Sequence, residues 1–372
     1  MYNLPVEVKW STSTFIFYMG VILICYLISI ALRKIVVEYP VLEKKKYISL
    51  GILVPFLLLV FVKGFITFGR DLVVGYYLNF LSAENLGEFR DKSTEIGYRI
   101  LNVVVHNIYN EYWFFLLVMT IMTLAPIFYL INKYRNNIDV PVAVLMYCSI
   151  FFFPSFSVFR IYIASSICLL ALDAMYENKN LKALFLICLA ISFHTSSAIM
   201  LIFYLIVLFK INLKTLIMTF TAVFLLVFTQ VDKISFLFSG RYSLYQGSEQ
   251  TGLGFQQLLY YLPILFLILV TRKYVGNEKI NKLSLQYVVL GFFFGMMGYV
   301  VSIFGRFQGI FEGLILIVSY YTFKLKGKNK SFRLVVDILV LVYCIIRFVF
   351  YISEYYDLDD MMPYTNIFGW LM

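Results

Sequence analysis

Charge is scarce in this chain. Asp, Glu, Lys and Arg make up 14% of its 372 residues, where a soluble domain carries about 25%. Only two histidines occur, at 106 and 194, and the five cysteines (25, 148, 168, 188, 344) sit singly inside apolar runs. Without a CxxC or a Cys/His cluster, neither a disulfide framework nor a zinc site is indicated. There is no GxxxxGK[ST] loop, no GxGxxG after a strand and no HExxH, and the one adjacent acidic pair is Asp359-Asp360 near the C-terminus. These absences remove ATP hydrolysis, zinc hydrolysis and a metal-dependent nucleotide-sugar site from the candidates, so no cofactor or metal is expected. Internal repeats, low-complexity tracts and a second soluble domain are also missing, and residues 1–372 read as a single polytopic membrane domain. The first apolar run is long, is followed by Arg33 and Lys34, and lacks a small-residue cleavage site, so it reads as a retained helix rather than a signal peptide.

Apolar residues, in contrast, are plentiful: 62% of the chain, a mean hydropathy of +0.85, 38 Phe and 30 Tyr. That is more apolar surface than one aqueous core can hold, so most of it must face lipid or other lipid-embedded helices. The expected fold class is an all-α integral membrane bundle of about twelve transmembrane helices. The candidate spans are 14–32, 47–66, 112–131, 140–157, 160–176, 181–194, 195–209, 215–231, 256–271, 284–304, 307–323 and 333–351. With the N-terminus outside, the cytoplasmic loops become 33–46, 132–139, 177–182, 210–214, 272–283 and 324–333. They hold 20 of the 31 Lys and Arg, which predicts both termini outside. The net charge of +10 is therefore a topology signal, and nucleic acid is not an expected partner. Residues 181–209 read either as one long tilted helix or as a hairpin turning at His194-Thr195-Ser196-Ser197. In a hairpin each arm is about 21 Å long at 1.5 Å per residue. That is shorter than the ~30 Å hydrocarbon core, and His194 would lie at the base of a recess. Two outer loops are long, about 67–111 and 232–255, and within the first, 72–81 and 96–105 read as interfacial helices.

The two sides differ in the kind of cation. The cytoplasmic loops are rich in lysine, whereas the outer side carries Arg70, Arg90, Arg99, Arg160, Arg241, Arg306 and, near a helix end, Arg347. Basic residues are disfavoured outside. The planar, permanently charged guanidinium suits phosphate, so an outer arginine cluster fits a diphosphate site. The competing explanation is local pairing with Asp or Glu, or snorkelling to headgroups. That explanation is weakest for Arg160 and Arg306, which lie in tight outer turns with no carboxylate in the four residues before them. His194 stands alone on an apolar background. Ionisable groups at membrane depth are functional candidates, and a neutral imidazole can take a proton from a sugar hydroxyl. Asp71 and Glu95 are the other acid–base candidates on that side.

Several short motifs occur in a consistent order. They are Gly69-Arg70-Asp71 with Gly75; Glu95-Ile96-Gly97-Tyr98 with Leu101-Asn102; Arg160 with Ile163-Ala164 and a helix ending near Leu172; Phe193-His194-Thr195-Ser196; Arg241-Tyr242 with Tyr245; Arg306-Phe307; and Pro363-Tyr364. Together they resemble the EpsG family of exopolysaccharide polymerases over nearly the whole chain. The sequence departs from that pattern where Tyr76-Tyr77 follow Gly75 and where Ile161 follows Arg160, which points to a different sugar if those residues touch substrate in relatives. The family is grouped with Wzy-type capsule and O-antigen polymerases. The resemblance implies a GT-C-like polytopic bundle in the bacterial cytoplasmic membrane that joins undecaprenyl-diphosphate-linked oligosaccharide repeat units at the outer face, alongside a flippase and a chain-length regulator. It implies that Arg160, Arg306 and Arg70 hold the diphosphate with Arg241 assisting, that His194 (failing that Asp71 or Glu95) serves the acceptor hydroxyl, and that Tyr98 and Tyr242 stack on sugar. The alternatives are a flippase for the same lipid-linked units and a membrane O-acyltransferase. A flippase would place cations along a cavity reachable from both sides, and an acyltransferase would leave the outer arginines without a role.

Overall fold

The computed structural model describes residues 8–41, 44–230, 255–300, 304, 307, 309–326 and 330–370. The expected positions Arg241, Tyr242 and Arg306, and all but the last residue of the 232–255 loop, lie outside the described residues.

Short polar caps set where the apolar runs become helices. The Ser11 hydroxyl accepts from Thr14 N at 3.2 Å and opens α1 (Thr12–Leu32), and Ser49 accepts from Gly51 N at 3.2 Å and opens α2 (Leu50–Gly64). Each cap satisfies an orphan N–H that would otherwise be stranded at a helix start. Between them lies an element the loop assignment of 33–46 did not anticipate. Strands β1 (Val36–Val41) and β2 (Lys44–Ser49) pair antiparallel from Val36↔Ser49 to Val41↔Lys44. Valine, tyrosine and isoleucine favour that pairing even within a lysine-rich loop.

The rest of the chain is helical among the described residues. After α2 come a π-helical turn at Leu72–Tyr76, α3 (Tyr77–Leu81) and α4 (Ile96–Ile108). Next are α5 (Tyr112–Lys133), α6 (Val140–Met146) running into a second π-helical turn (Tyr147–Phe152), and a 3-10 turn at Pro154–Phe156. Then follow α7 (Phe159–Tyr176), α8 (Asn180–Phe193), a 3-10 turn at Thr195–Ala198, α9 (Ile199–Leu208) and α10 (Leu213–Thr229). The last helices are α11 (Phe255–Val275), α12 (Glu278–Val300), α13 (Leu314–Lys324) and α14 (Lys330–Tyr355).

The chain is a multi-pass membrane protein. Among the described residues six helices are long and apolar enough to cross a bilayer, within α1, α5, α7, α11, α12 and α14, and six shorter apolar helices accompany them. In the apolar stretch of α7, 78% of the residues are buried, against 28% in α1 and α14. So α7 is a core helix, and α1 and α14 turn broad apolar faces outward, as lipid contact requires.

The segment 181–209 is a hairpin. On α12, Lys279 reaches the Asn178 side chain at 2.7 Å and Lys282 reaches the Lys210 carbonyl at 3.2 Å. Both ends of 181–209 therefore lie at one end of the bundle, and the chain turns back at His194. The fourteen residues of α8 span about 21 Å, so this turn stops short of the ~30 Å of a bilayer core.

The lysine-bearing end is stitched by ion pairs, including Lys133 with Asp173 (2.6 Å) and Glu177 (2.7 Å), and Asp139 with Lys326 (3.2 Å) and Arg333 (3.3 Å). At the other end the C-terminal segment folds back over the first helices. Tyr18 donates to the Met361 carbonyl (2.7 Å), Tyr364 donates through its hydroxyl to the Val62 carbonyl (2.9 Å), and its N–H donates to the Thr14 hydroxyl (3.0 Å). Thr67 and Thr365 pair through both backbone and side chain.

Tyr364 is fully buried at this junction. Tyr364→Phe is expected to lower stability by about 1 kcal/mol, the worth of one hydrogen bond. Tyr364→Ala is expected to cost about 3–5 kcal/mol for the cavity it leaves. Thermal melts of the purified protein check the ratio; equal effects would show that the ring contributes nothing.

Candidate active site

The regular helices are interrupted around one place. The π-helical turns at 72–76 and 147–152, and the start of α7, border a cavity of about 370 Å³ at the end of the bundle away from the lysine-rich loops. Its walls include Asp71, Tyr76, Arg160, His194, Arg347 and Asp359. Departures from regular helix redirect side chains and recur at functional sites. Here they bring together residues from six separate stretches of chain.

One ion pair organises the inner wall. Glu95 stands at the N-cap of α4, and its Oε2 accepts from Arg160 Nη1 at 2.9 Å. Its Oε1 accepts from both the backbone N–H (3.2 Å) and the hydroxyl (3.0 Å) of Thr195, in the turn between α8 and α9. Burial alone pushes the Glu95 carboxyl up. The Arg160 guanidinium, nearby backbone N–H groups and His194 outweigh it and hold the group below the ordinary carboxylate range, so Glu95 is ionised. The Arg160 guanidinium lies 5.2 Å from the Tyr98 ring centre and 5.8 Å from that of Tyr76, within cation–π range. Arg160 Nε is buried without a hydrogen-bond partner.

Gly97 makes this arrangement possible. A Cβ on it would fall 2.4 Å from Ser192 Oγ and 2.7 Å from the Ser192 carbonyl oxygen, so only glycine lets α4 lie against α8 at that point. The close approach delivers Glu95 to Thr195.

His194 caps the 3-10 turn: its Nδ1 accepts from Ser196 N at 3.2 Å. That bond uses the Nδ1 lone pair, so the proton of the neutral ring resides on Nε2. In this tautomer Nε2–H is the ring's donor.

The outer wall comes from α14 and the residues after it. Arg347, Tyr351, Tyr355 and Asp359 follow at intervals of four and all face the cavity, the spacing of one helical stripe. The Arg347 guanidinium sits 3.5 Å from the Tyr260 ring centre and donates to the Tyr343 hydroxyl at 3.2 Å. Among the described residues no carboxylate lies within salt-bridge reach of it. Tyr351 donates to Asp359 Oδ2 at 2.6 Å. Burial raises the Asp359 carboxyl; the Tyr351 bond opposes this, the charge of Asp71 adds to it, and Arg70 pulls the other way, leaving a net rise.

Of the sequence candidates, the cavity gathers Asp71, Arg160 and His194, with Glu95 directly behind Arg160. Two others sit elsewhere. Arg70 is exposed and donates to the Leu358 carbonyl at 3.3 Å, so it braces the segment bearing Asp359 rather than facing the cavity. Tyr98 is fully buried and packs on Tyr76 (5.6 Å) and the guanidinium, so its ring has no face left for sugar. Sequence reasoning passed over Tyr351 and Tyr355, noted Asp359 only as half of an acidic pair, and counted Arg347 among the outer arginines without a specific task, although their four-residue spacing is visible once 330–355 is read as one helix.

A sequence model of the EpsG family matches residues 47–366, which encompass every wall residue named above. No curated protein and no solved structure matches the chain.

Glycine to alanine inside a helix normally stabilises by about 1 kcal/mol. Gly97→Ala is expected to reverse that sign, because α4 must lift from α8 and draw Glu95 from Thr195. Arg160→Ala, which leaves the Glu95 charge buried and unpaired, is expected to cost about 3 kcal/mol. In the Glu95→Gln background the same change should cost clearly less. Thermal melts of the four variants of this cycle measure the coupling, and simple additivity would refute the pair's organising role.

Proposed function

The chain belongs to the EpsG family, and we propose that it polymerises undecaprenyl-diphosphate-linked oligosaccharide repeat units at the outer face of a bacterial cytoplasmic membrane. The observation that carries this reading is the cavity where two arginines, a histidine and two carboxylates converge at the bundle end opposite the lysine-rich loops. The positive-inside rule puts those loops in the cytoplasm and the cavity outside, with both termini outside and twelve passes in a GT-C-like bundle. A flippase and a chain-length regulator are the partners this role requires.

In this reading the non-reducing-end hydroxyl of one lipid-linked unit attacks the anomeric carbon of another. The new C–O bond forms as the bond to the diphosphate breaks, and undecaprenyl diphosphate leaves with the electron pair. Arg160 and Arg347 stabilise the charge developing on the leaving group, which fixed donors at a dry site do at no reorganisation cost. Arg306 and Arg241 are further candidates for the same task, and Tyr242 for stacking on sugar. The acceptor proton passes to a carboxylate. Asp359, raised above the ordinary range and next to Asp71, is the base, because a pKa nearer the working pH suits proton transfer. Glu95 is held ionised by Arg160 and acts as a brace. The Ser196 bond to Nδ1 supports His194 as a donor through Nε2, orienting a sugar or phosphate oxygen.

Asp359→Asn keeps an acceptor for Tyr351 and removes the base. It is expected to lower polymerisation at least about 100-fold. It should not lower the melting temperature at neutral pH, because a carboxyl raised in the fold makes its ionised form a net cost there. In wild type, the rate should fall on acidification at a pH above the usual carboxylate range, where Asp359 takes up its proton. A full polymer ladder from Asp359→Asn cells would exclude it as the base. His194→Ala is expected to shorten the ladder to single repeat units, and a normal ladder would make His194 a turn residue alone.

A further inference from the structure

Tyr260 and Arg347 border two cavities. One is the polar site described above. The other is a larger groove of about 730 Å³ between α11 and α14, almost wholly apolar. The two helices are pinned at the polar end, where Tyr343 donates to the Tyr260 carbonyl at 2.8 Å and Arg347 stacks on the Tyr260 ring. Away from that pin the walls are large apolar side chains open to the lipid side: Leu259, Leu262 and Phe266 on α11, and Leu339, Val342 and Ile346 on α14, are each between 45% and 66% exposed. Pro263 lies within α11 and borders the groove. The α14 wall runs from Phe332 to Phe350, about 27 Å at 1.5 Å per residue. That is nearly the ~30 Å of a bilayer core.

We infer that this groove holds the polyprenyl chain of the donor, admitted sideways from the membrane, and that Arg347 at its end takes the first phosphate beyond the chain. The inference rests on the polymerase reading and adds to it where the lipid lies. The order of chemistry along the two cavities matches the order along such a donor. An apolar corridor comes first, then a guanidinium with no carboxylate partner among the described residues, then a polar chamber with Asp359 and His194. A bilayer phospholipid would satisfy the apolar walls and offer a phosphate to Arg347, but it gives no reason for the polar chamber with Asp359 and His194 beyond the guanidinium. Lipid tails are as apolar as the groove, so burial supplies little driving force. The gain is positional: a docked chain fixes the diphosphate against Arg347 before the sugar reaches the base.

The test compares donors carrying the same oligosaccharide diphosphate on a long undecaprenyl chain or a short farnesyl chain, with the full chain in nanodiscs. Wild type is expected to show a KM roughly tenfold lower for the long chain. Val270→Trp and Val335→Trp fill the groove at its far end, about 15 and 18 Å along their helices from Tyr260 and Arg347 and beyond a farnesyl chain, so they should raise the long-chain KM to the short-chain value while leaving short-chain turnover intact. Short-chain turnover thus reports folding in the same tube. Unchanged long-chain KM in both variants would overturn the groove assignment while leaving the polymerase reading standing. No polymer from either donor with wild type would overturn the reading itself. A second measurement needs no variant: wild type is photolabelled with a diazirine-bearing undecaprenyl diphosphate. Adducts on 259–267 and 332–350 that undecaprenyl diphosphate competes away, and undecaprenol does not, are expected. Adducts elsewhere, or equal competition by undecaprenol, would mark the groove as an ordinary lipid-facing surface.

Discussion

Glu95 joins three parts of the chain at one point. It begins α4 in the long first loop, pairs with Arg160 at the start of α7, and accepts two bonds from Thr195 in the α8–α9 turn. A carboxylate buried this far needs compensation, because an ion removed from water without partners costs several kcal/mol. It receives that compensation only when all three elements are in place. The pair therefore acts less as a source of net stability than as a condition on geometry: a misplaced α4 strands two charges. The same condition explains the glycine at 97, since the loop helix must come closer to α8 than any side chain allows.

A buried lysine behind the cavity follows similar logic. Lys63 has no exposed surface, donates to Ser155 at 2.7 Å and lies 3.9 Å from the Phe159 ring centre. Ser155 belongs to the 3-10 turn that separates α6 from α7, so the lysine ties the end of α2 to the irregular backbone just before Arg160. Glu312, also fully buried, has Ser165 and Lys63 as polar neighbours and does not border the cavity.

The sequence carried the bundle well and the site in part, for identifiable reasons. Long apolar runs with lysine-rich breaks specify helices wherever they lie, because lipid leaves the backbone no other way to satisfy its hydrogen bonds. The hairpin at His194 was readable as a possibility from the lysines at both of its ends. The strand pair at 36–49 was not, because its lysines signal a loop more strongly than its valines signal a strand. Arg160, Asp71 and His194 were found because a charge in an apolar turn is conspicuous. Arg347 and Asp359 escaped because each has an innocent local reading, one as a headgroup anchor and the other as half of an acidic pair in a tail. Tyr98 misled for the opposite reason. An aromatic residue in an outer loop suggests sugar stacking, yet its face is taken by a guanidinium, which no local sequence feature reveals.

The two arginines of the cavity are electrostatically unlike, and that difference orders their roles. Arg160 is neutralised by Glu95 and clasped by two tyrosines, so its position is fixed but much of its field is spent. Arg347 rests on one tyrosine ring with no carboxylate partner among the described residues. On the proposed function, an anionic diphosphate would be attracted to the uncompensated charge first and reach the fixed one second. The apolar groove begins beside Arg347, so an amphiphile arriving from the membrane meets the free cation before the chamber. In the proposed reading one wall, α14, would carry tail, phosphate and base contacts: apolar side chains from Phe332 to Phe350, the guanidinium at 347 and, just past the helix, the Tyr351-bonded carboxylate at 359. With the three functions on one rigid helix and its short extension, the distance between leaving group and base is set by helical rise rather than by the packing of separate elements.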